Sequence, residues 1–229
     1  MTDLMEARPE VRRRRKAERP HEILEAAFEE FSRNGYATTT LDQIAERAGV
    51  TKGTIYVYFE SKEHLFISMA RELMKKTLGP IQDMFERHEG TTADLLRAQF
   101  RFIYENIVRD QRRREMLRML IADASRFPAL ADRYHAEIHR PCTELLSRTI
   151  QRGIDRGEIR PSAVTECPLV MFGPVALVDV WMMMFDSRHP IDLKAYFEAH
   201  VDLVLNGLLA KQDEPRASAS ISEAGSKSN

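Results

Sequence analysis

Apolar positions recur with a helical period along most of the chain, and no stretch alternates with a period of two for long enough to predict a sheet. The first stripe is Ile23, Leu24, Ala27, Phe28 and Phe31. It stops at Asn34-Gly35, where Gly35 suits the left-handed position after a helix end. Thr40, with Gln43 three residues on, makes a capping-box pattern that opens a second, short helix. Leu41, Ile44, Ala45 and Ala48 form its inner face, and Gly49 ends it. Thr51 caps a third helix from Lys52 to about Phe59. Ser61 caps a fourth, with Glu63 in the first turn matching the helix dipole.

From about residue 62 to 211 the pattern predicts helix after helix. Leu65, Phe66, Met69, Leu73 and Leu78 carry the fourth, which is expected to end at Gly79-Pro80. Leu95, Leu96, Gln99, Phe100, Ile103 and Ile107 carry the next, and residues 112–124 another, with Met116, Leu117, Leu120 and Ile121. Phe127-Pro128 opens a longer helix that Pro141 is expected to kink and Gly157 and Pro161 close. Residues 168–185 and 193–209 supply the last two. They hold more apolar positions than one stripe needs: Val170, Phe172, Leu177, Val180 and Trp181 on one, Leu193, Phe197, Val201, Val204 and Leu208 on the other. Paired between two copies of the chain they would form a four-helix bundle; the alternative is that the excess is monomer core.

Composition narrows the class. Among 229 residues, 34 Lys and Arg face 35 Asp and Glu, which excludes a globally basic nucleic-acid coat. The charge is local instead. Between residues 8 and 19 seven basic side chains stand against Glu10 and Glu18, so residues 1–19 read as a flexible basic arm, able to follow phosphates or enter a minor groove beside a DNA-reading domain. Residues 212–229, rich in Ser and Ala, read as a disordered tail. Cys142 and Cys167 are too few for a disulfide framework, and with no leader pattern the reading is a reduced, cytoplasmic protein. The apolar run 167–185 approaches membrane-spanning length, but it carries Asp179, two prolines and a glycine; a buried or dimer-forming helix is the better reading, with no membrane partner.

The chemistry-bearing segment is residues 23–66. Two short helices separated by Ala48-Gly49-Val50-Thr51 have the form of a helix-turn-helix. Ala45 is small enough for a close crossing, Gly49 tolerates a positive φ, and Val50 and Ile55 are expected to bury. The outer face of the third helix then offers Lys52, Gly53, Thr54, Tyr56 and Tyr58. Lys52 suits a phosphate, Gly53 permits close backbone approach, and Thr54 and Tyr56 suit base edges or a thymine methyl. Tyr58 and Lys62 are expected to lie toward phosphates.

The string TTTLDQIAERAGVTKGTIYVYFESKEHLF, residues 38–66, resembles the N-terminal DNA-binding pattern of the TetR family of transcriptional regulators. Gly35-Tyr36, Ile44-Ala45, Ala48-Gly49-Val50, Lys52-Gly53, Tyr56, Phe59 and Ser61-Lys62-Glu63 all fall where that family has them. The segment RFPALADRYHAEIHRP is similar to an AcrR-like subset. The resemblance implies an all-α fold: a three-helix helix-turn-helix domain over 20–66 and a helical ligand-binding and dimerisation domain over 67–211. It implies DNA contacts from Thr40, Thr51, Lys52, Gly53, Tyr56, Tyr58 and Lys62, with Thr54 at a variable reading position; Val57 departs from the family pattern and is left out. It implies a double-stranded DNA operator, a homodimer and a small-molecule inducer, most often of a repressor. Release would come from a shift of the fourth helix that changes the spacing of two recognition helices.

Candidates for the inducer pocket are Phe100, Tyr104, Met116, Leu120, Phe172, Trp181 and Met182, whose aromatic and Met side chains suit a plastic apolar lining, although at helical spacing such residues are more often plain core. Asp179, inside an apolar helix, needs a partner: an Arg or His, or a cationic ligand. An enzyme is not expected, since no phosphate-binding glycine loop, nucleophile elbow or activated cysteine occurs, and no cofactor is implied. His135 and His139 share a helix face but supply two of the three or four ligands zinc needs, so no metal is expected. The second function class is a DNA-binding module whose C-terminal bundle binds a protein partner; it predicts a filled bundle where the first predicts an apolar pocket.

Overall fold

This computed structural model describes the backbone of residues 7–209, with side chains from Glu18 onward. The expected tail at 212–229 lies outside the described residues, as do the side chains of Arg12 to Lys16 in the expected arm. The fold is all-α, and among the described residues the only β-type pairing is a bridge between Ile159 and Leu209. The helices are α1 (Ala7–Asn34), α2 (Leu41–Arg47), α3 (Lys52–Tyr58), α4 (Lys62–Arg87), α5 (Thr92–Ile103), α6 (Gln111–Asp123), α7 (Pro128–Tyr134), α8 (Arg140–Asp155), α9 (Ala163–Glu166), α10 (Gly173–Met184) and α11 (Leu193–Leu208). The backbone from Ala7 is continuous with α1, so part of the segment expected as an arm is helical.

Two departures from the pattern have local causes. α4 runs through Gly79-Pro80 to Arg87. The carbonyl that Pro80 leaves without its donor belongs to exposed Lys76, where water can satisfy it. The kink expected at Pro141 is a π-helical turn, His135–His139, placed just before it, which absorbs the register change. A second π turn, Tyr104–Val108, ends α5.

Burial divides the molecule into two cores. The first joins Ile23, Phe31, Tyr36, Ile44, Ile55 and Phe66 of the first four helices to Met116, Met119 and Leu120 of α6 and Leu130 of α7. The second joins α5, α8, α10 and α11. The reading head (residues 20–66) is therefore packed into α6 and α7 rather than hung from α4 alone. An aromatic cluster makes the joint: Tyr36 meets Phe66 and Phe127 edge-on, at ring centroids 5.4 and 5.1 Å apart. Lys62 is half-buried beside it. Its Nζ donates to the carbonyls of Tyr36 (2.8 Å), Ala37 (3.4 Å) and Thr39 (3.0 Å) and lies 4.4 Å from the Tyr36 ring centre. Burial lowers its pKa below the usual lysine value. The Ala37 N–H donates to Asp123 at the end of α6 (3.3 Å), and Arg112 at its start pairs with both oxygens of Glu25 on α1 (2.9 Å each).

Lys62→Met keeps the stem and strands three carbonyls in a packed joint. It is expected to cost about 1–3 kcal/mol of stability, read as a lowered urea midpoint; an unchanged midpoint would show that the ammonium holds nothing.

Candidate DNA-reading surface and effector cavity

Local chemistry aims the recognition helix. Thr40 and Gln43 form the capping box, with the Thr40 N–H donating to Gln43 Oε1 at 2.8 Å. Gly49 has φ +64°, a conformation that a side chain would strain. Thr51 caps α3 by accepting from the Thr54 N–H at 3.2 Å. Ile55 and Phe59 anchor α3 in the head core, while Val50 is only partly buried. Lys52, Gly53 and Tyr56 are left outward, Tyr56 with 51% of its surface exposed.

Gly53 has no structural reason to be glycine. A Cβ there would meet nothing nearer than Thr51 Oγ1 at 3.8 Å, an ordinary contact. Lys52 is exposed and pairs with Asp42 at 2.8 Å, a surface contact that a phosphate can replace. Thr54 is half-buried and its hydroxyl lies 2.9 Å from that of Thr51. Tyr58 is half-buried against the head core. Lys62, expected toward phosphate, turns inward, and its donors are spent on three carbonyls; it is a joint residue. The residue that sequence reasoning set aside is Val57. It is 73% exposed beside Tyr56, an apolar group on the reading face of the kind that meets a thymine methyl. Its spacing from Ile55 was the available signal.

Behind the head lies a cavity of about 440 Å³ among α4, α5, α6, α8 and α10. Of the expected pocket residues, Phe100, Phe172 and Asp179 line it. The others do not, for reasons of helix phase. Met116 and Leu120 face the head, and Leu117, one step round α6, takes the cavity side. Tyr104 is buried in the second core, its hydroxyl 3.0 Å from His200 Nδ1. Trp181 donates Nε1–H to the His189 carbonyl at 2.8 Å, and Met182 packs against the second core. The residues missed include Met74, Thr77, Ile81, Arg113, Tyr134 and Cys142, which come from helices too far apart in sequence for any period to collect.

Asp179 is 1% exposed and is paired with Arg113, Nη1 to Oδ1 at 2.9 Å and Nη2 to Oδ2 at 2.7 Å. This is the Arg partner that its burial demanded. His135 and His139 stack at 5.4 Å, His135 exposed and His139 on the cavity wall. Among the described residues no group of three His, Cys, Asp or Glu is placed to hold a metal ion, and no helix is long and apolar enough to cross a membrane.

The dimer surface needs correction. Phe197, Val201, Val204 and Leu208 are buried in the second core, because α11 turns that stripe toward α5; Leu193 packs against the same core. Phe172 lines the cavity and Trp181 is partly buried. The apolar face left outward is Val170, Leu177, Val180 and Met184, with Leu203 of α11.

Comparison with known proteins accords with this geometry. Residues 23–69 match the family model of bacterial regulatory proteins of the tetR family, and residues 87–204 match a tetracyclin repressor-like C-terminal domain. The uncharacterised HTH-type transcriptional regulator YfiR of Bacillus subtilis is 30% identical over 67% of this chain and 74% of its own length. The fatty acid metabolism regulator protein of the same organism is 26% identical over 82% of this chain and 94% of its own. Among solved structures, the transcriptional regulator FadR of Bacillus subtilis in complex with stearoyl-CoA is similar at a TM-score of 0.63 and 25% identity, covering 82% of this chain and 98% of that one. A TetR family regulator of Pseudomonas syringae pv. tomato shares the fold at a TM-score of 0.66 and 21% identity, over 84% of this chain and 97% of that one. The helix-turn-helix head, the all-helical body and both family matches agree: the chain belongs to the TetR family of bacterial transcriptional regulators.

Proposed function

We propose that this regulator reads a near-palindromic operator as a homodimer and is released from it by a small, largely apolar molecule, acting as a repressor. The observation that carries the reading is the apolar cavity beside the reading head. A module that only bound a protein partner would have a filled bundle there. The similarity to a regulator solved with stearoyl-CoA is in keeping with an apolar effector.

In this reading Lys52, Thr40 and Thr51 take phosphates, and the Gly53 backbone approaches closely. Thr54, Tyr56, Val57 and Tyr58 contact bases or sugar. Charge to residue 62 balances, eleven basic against eleven acidic, so affinity comes from placement and from pairing two heads. Two heads one DNA turn apart, about 34 Å, read the two half-sites. Val170, Leu177, Val180, Met184 and Leu203 form the pairing surface. The coupling runs through α6 as well as α4. Arg113 and Leu117 line the cavity, while Arg112 and Asp123 hold the head, so a ligand that moves α6 moves the recognition helix. Coupling of this kind amounts to about 1–3 kcal/mol.

The test is fluorescence-anisotropy binding to sequences selected from random DNA. Tyr56→Ala is expected to lose about 1–3 kcal/mol for the selected sequence while keeping its weak affinity for unselected DNA. Equal weak binding by both proteins, with no enriched sequence, would refute the reading. Gly53→Ala is expected to leave the melting temperature unchanged or slightly raised and to weaken operator binding; unchanged binding would remove Gly53 from the contact set. Leu177→Glu is expected to give monomers in analytical ultracentrifugation where the wild type gives dimers; dimers in both would place the interface elsewhere.

A further inference from the structure

Arg113 shares the cavity wall with Tyr134, His139, Cys142 and Asp179; of the other polar lining residues, Gln99 is spent on Thr149 and Thr143 on the Arg140 carbonyl, and Thr77 is the third. The Arg113 guanidinium spends two of its five N–H groups on Asp179, and among the described residues it makes no other hydrogen bond. Its charge reaches the Tyr134 hydroxyl and the Cys142 thiol, both on the cavity wall. The thiol already donates to the Ile138 carbonyl at 3.3 Å. The Tyr134 hydroxyl has no hydrogen-bond partner among the described residues. One turn away, the buried Nδ1 of His139 also lacks a partner. Beyond this cluster the wall is carried by Met74, Leu78, Ile81, Phe100, Leu145 and Leu146.

The charge balance selects the ligand. Asp179 has both oxygens occupied, so it cannot serve as counter-ion to a cation without releasing a buried guanidinium. Arg113 is already neutralised, so a carboxylate entering here would leave one uncompensated negative charge in an apolar site, at a cost of several kcal/mol. His139 is a poor source of the missing positive charge, since burial and the neighbouring His135 lower its pKa. What remains is a set of unspent donors in a neutral setting, the guanidinium N–H groups and the Tyr134 O–H, facing an apolar volume. Those donors match a carbonyl oxygen.

We propose that the cavity binds an uncharged carbonyl compound of the ester, thioester or amide class, its carbonyl oxygen accepting from Arg113 and Tyr134 and its aliphatic body lying against the α4, α5 and α8 side chains. This rests on the reading of the cavity as the effector site. Any charged portion of such a molecule stays outside the cavity.

Isothermal titration calorimetry of the full-length protein, without DNA, tests it with four probes of one chain length: methyl octanoate, octanoate, octyltrimethylammonium and 1-methoxyoctane. Methyl octanoate is expected to bind at least tenfold more tightly than each of the others. Tyr134→Phe removes an unpartnered hydroxyl and is expected to fold normally while the ester's advantage over 1-methoxyoctane falls several-fold. Arg113→Met/Asp179→Leu replaces both partners of the pair, which buried pairs tolerate, and is expected to abolish the remaining advantage with the circular dichroism spectrum unchanged. Tighter or equal binding of octanoate or of the cation would overturn the proposal. So would an ester no better than the ether, no binding by any probe, or an unchanged ranking in both variants. Because DNA is absent, these outcomes are independent of whether the operator reading holds.

Discussion

Two adjacent arginines at the start of α6 tie the cavity to the reading head. Successive residues of an α-helix step about 100° around its axis, so Arg112 and Arg113 leave on different faces. Arg113 enters the cavity wall and pairs with Asp179, while Arg112 lies over the Phe28 ring, 4.2 Å from its centre, and pairs with Glu25 of α1. The rest of α6 keeps this division: Leu117 follows Arg113 to the cavity, and Met116, Met119, Leu120 and Asp123 follow Arg112 to the head. One rigid element thus forms a wall of both compartments.

The contacts on the two faces differ in kind. On the cavity side the ion pair is desolvated, and removing either partner would leave a buried charge, a loss of about 3–5 kcal/mol. On the head side the Arg112–Glu25 pair is almost half exposed and adds little stability. It ties α1 to the start of α6. The head is held more firmly at the far end of α6, where Asp123, the Lys62 ammonium and the rings of Tyr36, Phe66 and Phe127 converge. The π turn at His135–His139 adds a further tie, since Glu137 on it is paired with Arg71 of α4 while Ile138 and His139 line the cavity. A ligand at the wall therefore meets two elements, α6 and this turn, that each touch the cavity on one side and the head or its connecting helix on the other.

Local chemistry was legible in the sequence wherever it acts within a few residues. Thr40 with Gln43, Thr51 with Thr54, and the positive φ of Gly49 are all short-range and stand as the motif implies. So does the need of Asp179 for a partner, though not which arginine. Longer-range assignments failed for a common reason: periodicity gives a face but not what the face meets. Met116 and Leu117 are neighbours in one stripe, yet they belong to different compartments. The stripe Phe197, Val201, Val204 and Leu208 had the right period for an interface and is spent on the monomer core. Lys62 has the residue type of a phosphate contact, and only the folded chain brings three carbonyls to it from the α1–α2 turn.

Forming a wall of both compartments, α6 sets the orientation of the reading head relative to the cavity. Pulsed electron paramagnetic resonance measures it directly. Spin labels at Val57→Cys on α3 and Gln151→Cys on α8, in a Cys142→Ala/Cys167→Ser background diluted with unlabelled protein, report one distance within a chain. A single narrow distribution is expected, and a clearly broadened or shifted one when Arg112→Ala and Asp123→Ala are added with helix content unchanged. An identical distribution in the two proteins would mean that these two polar contacts do not set the orientation of the head, and would contradict this role for α6.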